Sequence, residues 1–181
     1  EKIVDWIVDA YKFAKADPYR AATHNKGIMN GIDAVIIATG NDFRAIESGA
    51  HSFAANSGEY KPLTKWSKTE AGNLKGEIEI PIAVGTVGGA TNVHPMAQIS
   101  MELLGADSAQ ELAEVVASVG LLQNLGALRA LAVEGIQKGH MKLHAKNIAK
   151  QAGAEGERIE EVARKLIEEE NVSQKRAREL V

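Results

Sequence analysis

Glycine is distributed unevenly along this chain, and that distribution constrains the fold more than any other feature of the sequence. Ten of the 17 glycines lie between Gly27 and Gly89, a density that predicts many turns in the first half. The second half carries apolar residues at helical spacing, beginning with a capping box at Ser108-Ala109-Gln110-Glu111. We therefore expect a turn-rich first half and a helical second half, with the best boundary candidate at Gly135–Gly139.

Composition excludes several classes of function. The chain has 181 residues, a net charge of −3, no cysteine and 4% aromatic residues. A nucleic-acid-binding surface would need a basic face or stacking aromatics, and without cysteine there is no disulfide, thiolate ligand or cysteine nucleophile. Apolar stretches such as residues 34–38 are far shorter than the ~20 residues that span a bilayer. We expect a cytoplasmic protein that binds neither nucleic acid nor membrane.

Local patterns predict the elements of the first forty residues. Apolar residues run at helical spacing from the first turn, without a preceding cap or an initiator Met, which indicates a fragment of a longer protein. This helix should end before Asp17-Pro18, because a residue ahead of proline avoids the helical region. Residues 20–31 are predicted to form a loop, and the apolar run 33–39 a buried strand.

The remaining elements follow from caps, alternation and helical spacing. A helix is predicted from Asp42 to about Ala55, with the carboxylate near its positive N-terminus. Residues 60–84 alternate in polarity and contain Ala71-Gly72-Asn73, which predicts a β-hairpin. Further helical stretches follow the capping box, at about 121–137, 141–152 and 157–170.

A lysine and an aspartate are the first candidates for chemistry. Lys26 lies in the polar, glycine-flanked segment 23–27, where it is either a solvated lysine or a donor to a developing oxyanion. Asp42 could supply a carboxylate to hold that lysine, although by itself it is better explained as a helix N-terminal residue that the helix dipole stabilises.

Two further segments have more than one interpretation. Residues 85–91 (Gly-Thr-Val-Gly-Gly-Ala-Thr) could expose backbone N–H groups to a ligand or form a structural turn, and they match neither a GxGxxG fingerprint nor a Walker loop. His140 and His144 share one helical face. They suit a metal pair, a general acid on a mobile helix, or exposed histidines; HExxH chemistry would need a glutamate and a third ligand.

Four segments together resemble hydroxymethylglutaryl-CoA reductase, in particular the soluble class II of bacteria and archaea. They are Thr-His-Asn-Lys-Gly-Ile-Met-Asn-Gly at 23–31, Ala-Thr-Gly-Asn-Asp-Phe-Arg at 38–44, Gly-Thr-Val-Gly-Gly-Ala-Thr at 85–91 and Gly-His-Met-Lys-Leu-His-Ala-Lys-Asn at 139–147. Their order and separations fit the family across essentially the whole chain. The resemblance implies an α/β (α+β) fold, in which a mixed sheet packs with helices of the large domain. Residues 1–134 would form the second part of that domain, and 135–181 a small helical C-terminal flap.

The resemblance also implies a reaction and its participants. Two hydrides from NADH or NADPH reduce HMG-CoA through a hemithioacetal and an aldehyde to mevalonate and CoA, or the reverse, without a metal ion. The family builds its active site at the interface of a homodimer or larger homo-oligomer. A catalytic glutamate and most of the dinucleotide-binding domain are absent from these 181 residues, so we expect the isolated chain to be inactive.

Individual roles follow residue by residue from the same resemblance. Lys26 would stabilise charge on the reacting carbonyl oxygen, Asp42 would hold Lys26 in a direct, partly buried ion pair, and His140 would protonate the departing CoA thiolate. The positions that match substrate-binding residues are Arg20, Asn30, Asn124, Ala127, Leu131 and His144. Those that match positions beside the nicotinamide are Val87, Gly88 and Gly89.

Two other functions compete with this one. The chain could be a non-catalytic fragment or paralogue that binds CoA esters; the intact Lys26, Asp42 and His140 argue against the paralogue. A zinc hydrolase that uses His140 and His144 is the third hypothesis.

Overall fold

The computed structural model describes residues 2–88, 93–133 and 136–181, and its account of side chains leaves out residues 136–140 and 142. Within these residues the chain forms helices and one hairpin. In chain order the elements are α1 (Lys2–Ala16), α2 (Pro18–Ala38), α3 (Phe43–Ala54), β1 (Thr64–Lys68), β2 (Leu74–Ile78), α4 (Pro95–Leu104), α5 (Ala109–Val133), α6 (Ile136–Gln151), α7 (Arg158–Glu168) and α8 (Gln174–Leu180).

The break between α1 and α2 falls where the sequence predicts it. The Asp17 carboxylate accepts a hydrogen bond of 2.7 Å from the Arg20 N–H, and Pro18 occupies the first turn of α2. Proline is favoured there because its missing N–H would have no intrahelical partner. The predicted end of the first helix is confirmed.

Helix α2 overturns the predictions of a loop at 20–31 and a strand at 33–39. Ile28, Ile32 and Ile36 recur every four residues and are fully buried, which is the periodicity of a helix face. Gly31 permits close packing, since a Cβ there would lie 2.9 Å from Cβ of Gln123 on α5. The glycines that suggested a loop therefore serve contact between helices.

The turn from α2 to α3 positions Asp42. The Asn41 N–H bonds to the Ile36 carbonyl at 2.9 Å, and Gly40 adopts a φ of +72°, the left-handed conformation typical after a helix C-terminus. Asp42 then caps α3 and accepts from the Arg44 N–H at 3.0 Å. The predicted helix after Asp42 is confirmed.

The predicted hairpin is also confirmed. Strands β1 and β2 pair antiparallel, with Trp66 opposite Gly76, and Gly72 takes a φ of +82° in the connecting turn. Helices thus combine with a sheet as predicted, and in the described part of the chain that sheet has two strands.

Helix α5 begins with the predicted capping box. Ser108 Oγ accepts from the Glu111 N–H at 3.1 Å, and the Glu111 carboxylate accepts from the Asp107 N–H at 2.9 Å. The helix then runs unbroken to Val133, where the sequence suggested two stretches. By length and composition alone it could cross a membrane, contrary to the expectation from the apolar stretches, although core helices of soluble proteins meet the same criterion.

The chain divides into two compact units, Glu1–Ala132 and Val133–Val181. The core of the first contains Ile28, Ile32 and Ile46 with Leu112 and Val116. The core of the second is formed by α6, α7 and α8, with buried Ala145, Ala149, Val162, Ala163 and Leu166. The assignment of residues 1–134 and 135–181 to a large domain and a flap stays a prediction.

Candidate active site

Lys26 and Asn30 lie one turn apart on the solvent-exposed side of α2. Spacing of four residues places two side chains next to each other on a helix surface. Among the described residues, no carboxylate is paired with the Lys26 ammonium group. The two side chains are therefore available together to a ligand.

Arg20 enters this region from the first turns of the same helix. Its Nη1 donates to Thr23 Oγ1 at 2.8 Å, and burial lowers the pKa of the guanidinium from its ordinary value. In the part of the chain that the structure describes, Arg20 has no carboxylate partner. It lines a surface groove with Leu131, Trp6 and Phe13, so the structure brings Arg20 and Leu131 together.

Asn124, on α5, lies in a buried hydrogen-bond network. Its Oδ1 accepts from Thr64 Oγ1 at 3.0 Å and from Trp66 Nε1 at 2.8 Å, and the side chain is 1% exposed. His24 Nε2 lies 2.6 Å from Thr64 Oγ1. Burial and the nearby Arg20 charge lower the pKa of His24 to about 4.

The sequence patterns do not single out His24, Thr64 or Trp66. A signal existed for His24, which precedes Ile28, Ile32 and Ile36 at intervals of four and so shares their buried face. Thr64 and Trp66 carry no comparable signal, because their partner is about sixty residues away in the chain.

Helix α5 also brings Ala127 to α2. A Cβ on Gly27, the neighbour of Lys26, would lie 4.0 Å from Cβ of Ala127, which is ordinary van der Waals contact. We call Arg20, Asn124, Ala127 and Leu131 the α2–α5 cluster. All four belong to the set predicted from the resemblance to contact the substrate.

A second group forms at the opposite end of α2. The Asn41 amide accepts from the Gly85 N–H at 2.9 Å and donates to the Gly85 carbonyl at 3.2 Å. This pair ties the segment that carries Asp42 to the loop that carries Val87 and Gly88. Val87 is 82% exposed, and Gly88 has a φ of +88° with open space where a Cβ would stand. Gly89 lies outside the described residues.

The predicted direct ion pair between Lys26 and Asp42 is wrong for a single chain. Lys26 precedes Ala38 by twelve residues, or about 18 Å along a helix, and the bond from Asn41 to Ile36 keeps the following segment at the far end. The Asp42 carboxylate is exposed and bonds to Arg44 at 3.1 and 3.2 Å, which lowers its pKa.

The two candidate histidines lie on α6, in the second unit. The His144 side chain is exposed, whereas the His140 side chain lies outside the description. Among the described residues, no three His, Asp or Glu side chains form a group that could hold a metal ion.

Comparison with known proteins supplies the family. Residues 1–145 match the family model of hydroxymethylglutaryl-coenzyme A reductase. The 3-hydroxy-3-methylglutaryl-coenzyme A reductase of Archaeoglobus fulgidus is 57% identical over 181 residues, covering 100% of this chain and 41% of that protein. A probable reductase of the same name from Borreliella burgdorferi is 50% identical over 129 residues, covering 71% of this chain and 30% of that protein.

Solved structures agree with this assignment. The class II 3-hydroxy-3-methylglutaryl-CoA reductase of Streptococcus pneumoniae, bound to NADPH in open conformations, superposes with a TM-score of 0.71 at 49% identity. The match covers 97% of this chain and 42% of that chain, so the sequence spans less than half of such a relative. The family model and these relatives together show that the chain belongs to the hydroxymethylglutaryl-coenzyme A reductase family.

Proposed function

We propose that this chain carries part of the active site of an NAD(P)H-dependent reductase, which interconverts HMG-CoA with mevalonate and CoA. The observation that supports this most directly is the half-buried Arg20, which has no carboxylate partner among the described residues and shares a groove with Leu131. A partly desolvated guanidinium favours a bidentate carboxylate ligand, and the hydroxymethylglutaryl group carries one.

Lys26 would act on the other end of the same acyl group. It follows Arg20 by six residues, or about 9 Å along α2, and both side chains are long enough to converge on a five-carbon acyl chain. The ammonium group would then donate to the thioester oxygen as negative charge develops. Asn30, one turn further, would contact the substrate beside it.

Val87 and Gly88 suit a flat ligand such as a nicotinamide ring. Gly88 leaves open space around its α-carbon, and Val87 offers an exposed apolar surface. When bound, NADH or NADPH supplies the hydride. Val87, Gly88 and Gly89 would contact the nicotinamide.

We propose that a second copy of the chain completes the site. Lys26 lies near the middle of α2, whereas Asp42 lies just beyond its C-terminal end. A two-fold axis near Ala34, midway between them in the chain, would bring each Lys26 close to Asp42 of the second copy. Such an axis makes the same patch face itself. Ala34 and Ile37 are exposed on the side of α2 that carries Lys26. The homodimer, or a larger homo-oligomer, would act in the cytoplasm.

His140 and His144 of the predicted flap would complete the chemistry. His140 would protonate the CoA thiolate as it leaves, because imidazole titrates near neutral pH, and His144 would contact the ligand. The alternative is a fragment that binds CoA esters without turnover.

Substitution of Lys26 in the complete enzyme tests the proposal. Lys26→Ala should lower turnover of HMG-CoA by several orders of magnitude, with a much smaller change in KM, since the ammonium group acts mainly in the transition state. Lys15→Ala, which removes an exposed lysine of α1, is the matched control. Turnover by the Lys26 variant within tenfold of that control would contradict the proposal.

A further inference from the structure

The network around Asn124 determines which way its amide group points. Trp66 Nε1 can only donate a hydrogen bond, and it lies 2.8 Å from the amide atom that also receives the Thr64 hydroxyl at 3.0 Å. That atom must therefore be the oxygen. Nδ2 lies at the other end of the amide, and it has no partner among the described residues.

The direction of the remaining bond follows from the number of protons. The Thr64 hydroxyl has one proton, which it donates to Asn124, so it must accept from His24 Nε2 at 2.6 Å. His24 is 2% exposed and its Nδ1 is buried without a partner. The neutral imidazole with the proton on Nε2 meets this requirement, and its low pKa of about 4 agrees with it.

Trp66 is itself held in one position. It pairs with Gly76 across the hairpin, and a Cβ on Gly76 would lie 2.4 to 2.9 Å from three atoms of the indole ring. No side chain other than that of glycine fits there without moving the ring. The indole N–H is consequently fixed towards α5 and Asn124.

We propose that His24, Thr64 and Trp66 are positioning residues, which hold Oδ1 of Asn124 inward so that Nδ2 donates to an oxygen of the bound acyl ligand. This inference rests on the proposed function, because it takes that ligand to be the hydroxymethylglutaryl group. Ala127 and Leu131 follow Asn124 on the same side of α5, and Leu131 shares its groove with Arg20. A reversed amide would present an oxygen to an oxygen and leave the indole N–H facing an NH₂ group.

Variants of the complete enzyme separate positioning from general destabilisation. Trp66→Phe keeps an aromatic ring, although a smaller one, and removes the indole N–H. Thr64→Val keeps the shape but removes the hydroxyl. Each should raise the KM for HMG-CoA, and the calorimetric Kd for mevalonate, about 5- to 20-fold, with kcat changed less than threefold. The hydrogen bond that the ligand would lose is the one from Asn124 Nδ2, and the loss of one hydrogen bond of ordinary strength has an effect of this size. Tyr60→Phe, which removes a hydrogen bond of 2.7 Å to His51 outside the network, is the matched control and should change neither constant.

A double-mutant cycle gives the decisive result. If Trp66 acts through Asn124, Trp66→Phe should weaken binding no further in an Asn124→Ala background. Unchanged binding by both Trp66→Phe and Thr64→Val, or a loss that persists in the Asn124→Ala background, would overturn the inference. Thr64→Val is judged by the same criteria if Trp66→Phe does not fold. Failure of the proposed function would look different, since the unsubstituted enzyme itself would then bind no mevalonate.

Discussion

Gly120 on α5 lies against Ile32 on α2, so closely that a Cβ added to the glycine would be 2.9 Å from both Cδ1 and Cγ1 of the isoleucine. Ile32 is fully buried, and Cγ2 of Ile28 lies 3.1 Å from the same point. The close approach of the two helices that carry the α2–α5 cluster therefore depends on a residue without a side chain. Gly126 lies in the same helix with nothing within 4 Å of its added Cβ.

These two glycines should respond oppositely to alanine. Gly126→Ala should stabilise the chain by about 0.5–1 kcal/mol, because alanine favours the helix. Gly120→Ala gains the same helix propensity, but overpacking a core costs about 1–3 kcal/mol, so it should be less stable than the original. Urea midpoints of the two variants check this, and a Gly120→Ala protein as stable as Gly126→Ala would show that α2 and α5 are not packed so closely.

Mixed dimers test whether Lys26 and Asp42 of different copies meet. In a heterodimer of Lys26→Ala and Asp42→Ala subunits of the complete enzyme, one site would carry both changes and the other neither. Mixing the two inactive variants under conditions of subunit exchange should thus restore about one quarter of the normal activity, since half the dimers are mixed. Activity that stays at the level of the separate variants would place both residues of each site in one chain. A mixture of Lys26→Ala with the double variant is the negative control.

Substitution of His140 should separate the two reduction steps. A residue that only protonates the CoA thiolate is not needed when free mevaldehyde is reduced, because no thiolate leaves. His140→Gln in the complete enzyme should therefore reduce thioester turnover far more than aldehyde turnover. Equal losses in the two assays would indicate a structural role or another proton donor.

The buried His24 predicts a loss of stability in acid. Its pKa is about 4 in the folded chain against an ordinary value of 6.5, so the unfolded chain takes up the proton first as pH falls. The contribution of the neutral His24 to the free energy of unfolding is on the order of 2–3 kcal/mol. It is complete above pH 6.5 and is lost as the pH falls from 6.5 to about 4. Urea midpoints from pH 7 to 4 measure it, and a His24→Gln control should lack this dependence.

Asp33 opposes this effect and offers an internal check. Burial and the neighbouring Glu47 raise the pKa of Asp33 to about 6 from 3.8, so the folded chain binds this proton more readily and gains stability as pH falls from 6 towards 3.8. Asp33→Asn removes that gain. The Asp33→Asn variant should be more stable than the unsubstituted chain above pH 6, and its free energy of unfolding should fall more steeply as the pH is lowered. A variant with the same pH slope as the unsubstituted chain would contradict the assignment.

Much of the local structure could be predicted because its signals act over a few residues. Asp17-Pro18, Asp42 and Ser108 each mark a helix start through a side chain that bonds to an N–H two or three residues later. The hairpin turn likewise needs only Gly72 at positive φ. Such contacts form in any fold that contains the segment.

Helix α2 could not be predicted in the same way. Gly27 and Gly31 are as typical of a loop as of close helix packing, and only the presence of α5 distinguishes the two. The apolar run at 33–39 is too short for its periodicity to separate a strand from a buried helix. A strand there would be flanked by Lys26 and Asp42 and could let them meet, whereas the helix holds them apart.

Short sequence patterns are enough to predict the family, the caps and turns that divide the chain, and the residue types available for catalysis. Which of those residues meet depends on the tertiary structure. Asn41 bonds to Gly85 and Thr64 to Asn124 across 44 and 60 residues of chain, whereas Lys26 and Asp42, only sixteen residues apart, do not pair. The physical reason is that contacts between distant residues depend on the path of the whole backbone, and a regular helix separates its two ends by its own length.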